Sequence, residues 1–240
     1  MINKVVIAAA GKGTRMLQHS QDKPKHLIEV NGFPFLYYLL DRLKEAGFTE
    51  MIVVIGYQPE VMQQALAKIK ADFPLTIINQ FDKLDGKYGT ASPIECVRDL
   101  VKGENFVAVY GDSLWSVKDL KKMRIDDNFN YLAGLKSEHP EKYGVLMVDQ
   151  EHNLITIKEK PQEYVGNLIN TGLYKFTPEI FNKIKLIEKS VRGEYELTDA
   201  INLLAQEKKV KVNPLNDYWF DFGRPEDIEI VGQFLKNNQK

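Results

Sequence analysis

An α/β fold, with a largely parallel sheet between helices on both faces, is predicted by three observations. Short apolar runs at Val5–Ala9, Met51–Ile55 and Phe106–Tyr110 read as strands buried on both faces. Segments with helical spacing alternate with these runs. The first run ends in a glycine-rich loop, Gly11-Lys12-Gly13-Thr14-Arg15, followed by Pro24-Lys25.

The strand Val5–Ala9 is followed by a helix over Phe35–Ala46, whose Leu36, Leu39, Leu40 and Leu43 share a face and which stops at Gly47. Met51–Ile55 is the second strand, and Glu60–Ile69 is a helix entered through Pro59. Leu75–Ile78, a helix over Thr90–Leu100 and the strand Phe106–Tyr110, ending at Gly111-Asp112, complete the alternation. After about residue 130 the pattern changes: Tyr131–Leu135, Tyr143–Val148 and Leu154–Glu159 are strands with little helix between them. Asp149, Glu151, His152 and Asn153, lying between Val148 and Leu154, predict a hairpin. Leu168–Phe176 is a further strand. Helices follow near Glu179–Ile187 and Glu196–Gln206, then a short strand Val210–Val212, an aromatic strand Tyr218–Phe222 and a helix starting after Pro225. No repeat, low-complexity segment or linker interrupts the chain. A single domain over 1–240 is expected, with 1–130 and 131–240 as its halves and a polar, frayed tail at Lys236–Lys240.

Composition excludes several classes. The chain has 240 residues, 44% hydrophobic and 27% charged, which suits one large domain with an ample core. A net charge of −1 offers no basic surplus for nucleic acid or an anionic membrane. No apolar stretch approaches the roughly 20 residues that span a bilayer. The first apolar run is short and opens into glycines, so it reads as a strand and not a secretory leader. Cys96 is the only cysteine, which excludes an internal disulfide and a cysteine-based metal site and leaves it as a buried small hydrophobe. The expectation is a cytoplasmic protein without nucleic-acid or membrane partners.

Glycines let backbone N–H groups approach an anion, and Lys and Arg supply compensating charge, so the first loop reads as a polyphosphate site. A dinucleotide-binding loop would want a small residue where Met16 stands and an acid where the second strand runs into Gly56-Tyr57-Gln58. A P-loop would want Gly-Lys followed by Ser or Thr, which is absent. A purely structural turn is the competing reading. Asp112 sits at a strand end, where a carboxylate can hold Mg²⁺ or cap a turn. Asp221, flanked by aromatics in Trp219-Phe220-Asp221-Phe222-Gly223, needs a partner if buried: a metal shared with Asp112, or an ion pair with Arg224. Glu159-Lys160-Pro161 offers a hydroxyl acceptor and a phosphate cation, or a surface ion pair. Asn170-Thr171-Gly172 interrupts an apolar strand, which marks a bulge or a close approach to a ligand. His19, His26, His139 and His152 show no metal spacing and read as solvated or structural.

In order along nearly the whole chain, these segments resemble the sugar-1-phosphate nucleotidylyltransferases. The resemblance is carried by Ala9-Ala10-Gly11-Lys12-Gly13-Thr14-Arg15-Met16, Pro24-Lys25, Gly89-Thr90-Ala91, Gly111-Asp112, Tyr143-Gly144-Val145, Glu159-Lys160-Pro161, Asn170-Thr171-Gly172, Gly193-Glu194 with Leu197-Thr198-Asp199, and Trp219-Phe220-Asp221-Phe222-Gly223. It implies a Rossmann-like three-layer α/β/α fold with a mixed, mostly parallel sheet and a small β-rich part for the sugar. It implies transfer of a nucleoside monophosphate from an NTP, UTP or dTTP first, to a sugar 1-phosphate, with release of pyrophosphate. Arg15 and Lys25 would be the catalytic cations, Arg15 binding the triphosphate and Lys25 bridging phosphates at the α-phosphoryl group. Ala10, Gly11, Gly13, Thr14, Gln80, Gly89, Thr90 and Gly111 would hold the nucleotide; Gly144, Glu159, Lys160, Asn170 and Thr198 the sugar phosphate; Asp112 and Asp221 Mg²⁺. The resemblance is also compatible with a homo-oligomer.

Three departures stand out. Glu29 replaces a common Pro, Gly86-Lys87-Tyr88 lengthens the loop before Gly89, and Glu196 replaces an aromatic of the acetylated-hexosamine enzymes. The 240 residues carry no acyltransferase β-helix, and the short, single-activity form is expected. The competing readings are a cytidylyltransferase for phosphocholine, with Trp115, Tyr164 and Trp219 as a cation cage, and a GTP:mannose-1-phosphate guanylyltransferase. A silent nucleotide-sugar sensor is the reading from another class, against which Arg15, Lys25, Asp112 and Asp221 argue.

Overall fold

In the computed structural model, residues 1–84 and 87–238 are described, and the strands in chain order are β1 (Lys4–Ala9), β2 (Glu29–Val30), β3 (Phe33–Pro34), β4 (Glu50–Ile55), β5 (Leu75–Asn79), β6 (Phe106–Tyr110), β7 (Ser113–Trp115), β8 (Asn130–Lys136), β9 (Gly144–Val148), β10 (Leu154–Glu159), β11 (Leu168–Phe176), β12 (Val210–Pro214) and β13 (Trp219–Asp221). The main sheet runs β10-β9-β11-β6-β1-β4-β5, with β8 pairing β11 and β12. Its first half, β6-β1-β4-β5, is parallel; β11 then runs antiparallel to β6. The mixed, mostly parallel sheet of a Rossmann-like fold is therefore present.

Side-chain alternation along the strands feeds two cores, one on each face. Val5, Ile7, Val53, Ile55, Val107 and Val109 join the core under the helices Phe35–Glu45 and Pro59–Ile69. Val6, Ile52, Val54, Phe106 and Ala108 join the other, under the helix Leu197–Gln206 and the 92–101 segment. In Phe35–Glu45 the fully buried side chains Phe35, Leu36, Leu39, Leu40 and Leu43 contribute about 1.5–3 kcal/mol each. Phe35 also stacks on Phe222 at 4.1 Å, which ties this helix to the segment after β13.

After β1 the chain moves out to β4 and β5, then returns to β6 on the other side of β1. Such a reversal opens a crevice at the carboxyl ends of the strands, where ligands bind in open α/β sheets. The register Ala8↔Tyr110 brings the two candidate segments, Ala9–Gly11 and Tyr110–Asp112, to that crevice.

Most predicted strands stand within a residue or two of their expected bounds, and Asp149, Glu151, His152 and Asn153 do turn the chain between antiparallel β9 and β10. Two predictions are corrected. The helix over Thr90–Leu100 is two short pieces, Ser92–Glu95 and Arg98–Val101; the Val97 N–H bonds back three residues to Ile94, and Val97 itself (φ −101°, ψ 5°) leaves the helical path. The aromatic strand is shorter than Tyr218–Phe222: only Trp219–Asp221 pair, antiparallel to β7. Of the lengthened loop, Gly86 lies outside the described residues, as do the last two residues of the tail. Among the described residues no helix is long and apolar enough to cross a membrane.

Candidate active site

The glycine loop leaves β1 with its backbone open. A Cβ on Gly11 would meet nothing within 4 Å, so its peptide is approachable. Gly13 is left-handed (φ 66°), and a Cβ there would fall 2.9 Å from the Cβ of Lys25. Glycine at 13 thus lets Lys25 pass beneath the loop. Thr14 opens a 3₁₀ helix, Thr14–Ser20, and the Ser20 hydroxyl donates to the Gly13 carbonyl at 2.9 Å, which closes the loop. Pro24 starts the turn Lys25–Leu27, all of whose residues are buried.

Lys25 makes a short ion pair with Asp112. Burial opposes the charge on Asp112, but Lys25, with help from His26 and backbone hydrogen bonding, outweighs it and holds the carboxyl below its usual range. His26 is fully buried and its Nδ1 has no hydrogen-bond partner among the described residues. Burial first, then the Lys25 charge, pull its pKa from 6.5 to about 3 against the opposite pull of Asp112. The imidazole is neutral and structural, as one of the two readings of the histidines had it. Gly111 makes room for it: a Cβ at 111 would crowd Ala9, the Ala8 carbonyl and the His26 ring.

The β7–β13 pair carries the second carboxylate. Asp221 lies opposite Ser113, and the Phe222 N–H donates to the Asp112 carbonyl at 2.7 Å. Burial, then the charge of Asp112, push the Asp221 pKa up to about 6, while Arg15 and Lys25 pull it down. Arg224 does not pair with it. Asp227 accepts the Gly223 and Arg224 backbone N–H groups, and the space above Gly223 is filled by the Arg15 guanidinium.

Two clefts meet at Asp112, and Asp221 lines the second. Ala10, Gly11, Lys25, Gln80, Gly89, Thr90 and Asp112 line the first, together with His26, Tyr88, Pro93, Tyr110 and Glu194. Arg15, Thr90, Asp112, Gly144, Glu159, Lys160, Asn170, Thr198 and Asp221 line the second, with Lys142, Tyr143, Arg192, Glu196 and Trp219 among their neighbours. The clefts share Thr90, Tyr110, Asp112 and Glu194. Gly13, Thr14 and Gly111 line neither; Gly13 and Gly111 act by letting Lys25 and His26 close in.

Each cleft residue has a local cause. Pairing of β9 with β10 sets Gly144 opposite Glu159, and a Cβ on Gly144 would lie 3.0 Å from the Glu159 Oε2. Lys160 is turned by a left-handed backbone (φ 43°), its N–H bonded to the Tyr143 carbonyl at 3.0 Å. Asn170 and Gly172 sit at a break in the β11–β8 register. Gly89 packs directly on the Tyr195 backbone, and the Tyr195 N–H donates to the Tyr88 carbonyl. The Thr90 hydroxyl is already engaged: it accepts the Leu197 N–H at 2.8 Å and donates to Glu196 at 3.2 Å. Glu196 also holds Arg192 at 2.8 Å. Gln80 is buried and its Oε1 has no partner among the described residues.

Tyr110, Arg192 and Glu194 lay outside the predicted site. Tyr110 and Arg192 adjoin quoted motifs, Gly111-Asp112 and Gly193-Glu194, and Glu194 belongs to the second, so these motifs were the available signal. The three suspects for a choline cage do not converge. Trp115 is fully buried and bonded to Thr171, Tyr164 is 78% exposed, and only Trp219, edge-on to Tyr143, reaches a cleft.

Paired carboxylates and basic side chains around two joined clefts, at the carboxyl ends of parallel strands, define a phosphate-handling α/β protein. The chain belongs to the nucleotidyl transferase family, whose model matches residues 4–238. It is 33% identical over 235 residues to the bifunctional protein GlmU of Methanococcus aeolicus, covering 98% of this chain and 55% of that protein. It is 32% identical over 240 residues to the UTP–glucose-1-phosphate uridylyltransferase AglF of Haloferax volcanii, covering 97% of this chain and 96% of that one. A mannose-1-phosphate guanyltransferase of Saccharomyces cerevisiae is 31% identical over 232 residues, covering 94% of this chain and 62% of the relative. The chain thus spans about half of the bifunctional relative and nearly all of AglF. A UDP-glucose pyrophosphorylase crystallised with UDP-glucose superposes with a TM-score of 0.85 over 100% of both chains at 23% identity, a likeness of fold. These relatives bear out the resemblance read in the sequence.

Proposed function

We propose that this chain transfers a nucleoside monophosphate from an NTP, UTP or dTTP first, to a sugar 1-phosphate, forming an NDP-sugar and pyrophosphate. The observation that carries the reading is the meeting of the two clefts at Asp112, with Lys25 on one side and Arg15 and Lys160 on the other. The first cleft, lined almost wholly from 1–130, takes the nucleotide, and the second, lined mostly from 131–240 with Arg15, Thr90, Tyr110, Asp112 and Ser113 added from the first half, takes the sugar phosphate.

The nucleophile is an oxygen of the sugar phosphate, already ionised at neutral pH, and no general base is needed. It attacks the α-phosphorus of the NTP; the bond to the β-phosphate breaks and its electron pair leaves with pyrophosphate. Bringing two polyanions together is the obstacle, and positioning with charge neutralisation removes it. Lys25 gives up Asp112 for phosphate oxygens, Arg15 and Lys160 compensate the sugar phosphate, and Glu159 accepts hydrogen bonds from sugar hydroxyls. Gln80, with an unpaired amide oxygen, meets the base edge. Asp112 and Asp221 fit Mg²⁺: Asp221 is buried beside a like charge without an ion pair among the described residues, and a pair of carboxylates completed by phosphate oxygens and water suits this ion. Bound there, Mg²⁺ supplies further neutralisation of the phosphate charge.

The test is pyrophosphate release with Mg²⁺ across UTP, dTTP, CTP and GTP, paired with glucose, N-acetylglucosamine and mannose 1-phosphates and with phosphocholine. Turnover with a sugar 1-phosphate, lost in Lys25→Ala and Asp112→Asn, is the expected result. Turnover with phosphocholine alone, or NTP binding without turnover across the grid, would overturn it.

A further inference from the structure

A third recess adjoins the second cleft, and the proposed reaction leaves it without a role. Arg15, Lys142, Tyr143, Trp219 and Asp221 line both, whereas the recess shares no residue with the first cleft. Phe220, Arg224, Asp227 and Ile230 complete it, so it is built from the turn before β9, from β13 and from the turn into the helix Glu226–Asn237. Its charges are unequally engaged. Asp227 Oδ2 accepts the Gly223 and Arg224 backbone N–H groups at 2.8 and 2.7 Å, and Asp221 is one of the two carboxylates that fit Mg²⁺. Arg15, Lys142 and Arg224 are exposed, and none of the three makes an ion pair among the described residues.

Arg15 and Arg224 both act electrostatically on the Tyr143 hydroxyl, as do the two aspartates, so the two guanidinium groups stand near one phenol. Trp219 adds an indole N–H that is buried without a partner among the described residues. Guanidinium, ammonium and indole N–H groups only donate, and an oxyanion with several equivalent oxygens is the ligand that takes them together. We propose that this recess binds a phosphate-class anion other than the acceptor's own 1-phosphate, held by Lys142 and Arg224 together with Arg15. Two sources supply such an anion: the pyrophosphate that the reaction releases, or a second phosphate carried by the acceptor. Both sources rest on the proposed reaction; binding in the recess does not.

Calorimetric titration with inorganic pyrophosphate and with glucose 1,6-bisphosphate compares wild type, Lys142→Gln, Arg224→Gln, the double variant and a charge-matched control on a distant helix, Lys68→Gln. At least one of the two ligands should bind wild type about fivefold or more tightly than either recess variant, with Lys68→Gln changing it less than about twofold. Kinetics then separate the sources. If the acceptor brings the anion, wild type prefers the 1,6-bisphosphate over the 1-phosphate, and the double variant loses that preference while still using the 1-phosphate. If the anion is released pyrophosphate, the double variant is less inhibited by pyrophosphate and its KM for the NTP is unchanged. A KM for the NTP that rises in step would place both cations on the triphosphate and overturn the inference, as would binding of both ligands that the double variant leaves intact. Absence of wild-type turnover would fail the proposed reaction alone, because the titration still decides whether the recess binds.

Discussion

Lowering the pH from 7 to 5 should weaken the fold through one residue, His26. Its imidazole is neutral in the folded chain, with a pKa near 3 against 6.5 when unfolded. A lowered base binds fewer protons in the folded state, so its contribution to stability is intact above pH 6.5 and is lost as pH falls toward 3. Each pH unit in that window costs about 1.4 kcal/mol at most. Between pH 7 and 5 the unfolded histidine becomes almost fully protonated while the folded one does not, and the loss comes to about 2 kcal/mol. His26→Leu removes the titrating group and keeps the volume roughly filled. Urea unfolding of both proteins at pH 7, 6 and 5 isolates the effect, because Asp221 and every other titrating group are common to both. The stability difference between wild type and variant should shift by about 2 kcal/mol against wild type on acidification. A difference that stays constant across that range would mean that the imidazole takes up a proton in the folded state, and the account of a sealed, unpartnered ring would be wrong.

Three further outcomes follow from the site. Lys25→Ala should lower kcat/KM by about 10²–10³, as removal of a single charge-stabilising donor does elsewhere, and a loss under tenfold would remove Lys25 from the catalytic role. Asp221, raised to about 6, binds a divalent cation only when ionised, so Mg²⁺ should raise the melting temperature at pH 7.5, do so far less at pH 5, and not at all in Asp221→Asn; equal Mg²⁺ stabilisation at both pH values would count against Asp221 as a ligand. Gly172→Ala places a Cβ into the Tyr110 ring at a left-handed backbone (φ 78°) and should cost at least about 2 kcal/mol by urea unfolding, whereas Gly103→Ala, also left-handed (φ 76°) but in open space, should cost less; equal costs would show that the ring yields freely.

The parallel half of the fold was legible because each strand is an unbroken apolar run, a pattern that burial on both faces demands. Phe106–Tyr110 and Leu154–Glu159 stand where expected to the residue. Local punctuation was read less well. Ser116 accepts the Asp119 N–H and caps the helix Val117–Lys122, an S-x-x-D signature that passed unread beside the apolar run Leu114-Trp115. The short strand β7 could not be seen in sequence at all, since only pairing with β13, about a hundred residues away, makes it a strand. At the site, Lys25, Asp112 and Asp221 were singled out in the sequence by their charge, and the fold brings them to the joined clefts. Tyr110 was not, because a tyrosine at a strand end is ordinary packing until the fold sets it between the two clefts.

The two aspartates are pushed apart by one cation. Lys25 spends its charge on Asp112 and holds it ionised, while Asp221, farther from relief and facing Asp112, rises to about 6. Arg192 is similarly held by Glu196, which also grips Thr90 between the clefts. The site thus keeps two of its cations, Lys25 and Arg192, on its own carboxylates, and an incoming polyphosphate must compete with them. On the proposed reaction, a triphosphate alone gains little from Lys25, because freeing the lysine leaves Asp112 buried and uncompensated. Asp112 and Asp221 would together hold a divalent cation, whose charge would compensate both carboxylates and free Lys25 for phosphate oxygens. The ion pair that looks like a structural tie is then the element that makes nucleotide and metal bind as one, and Asp112→Asn should loosen that coupling, letting metal-free nucleotide bind more tightly while turnover falls.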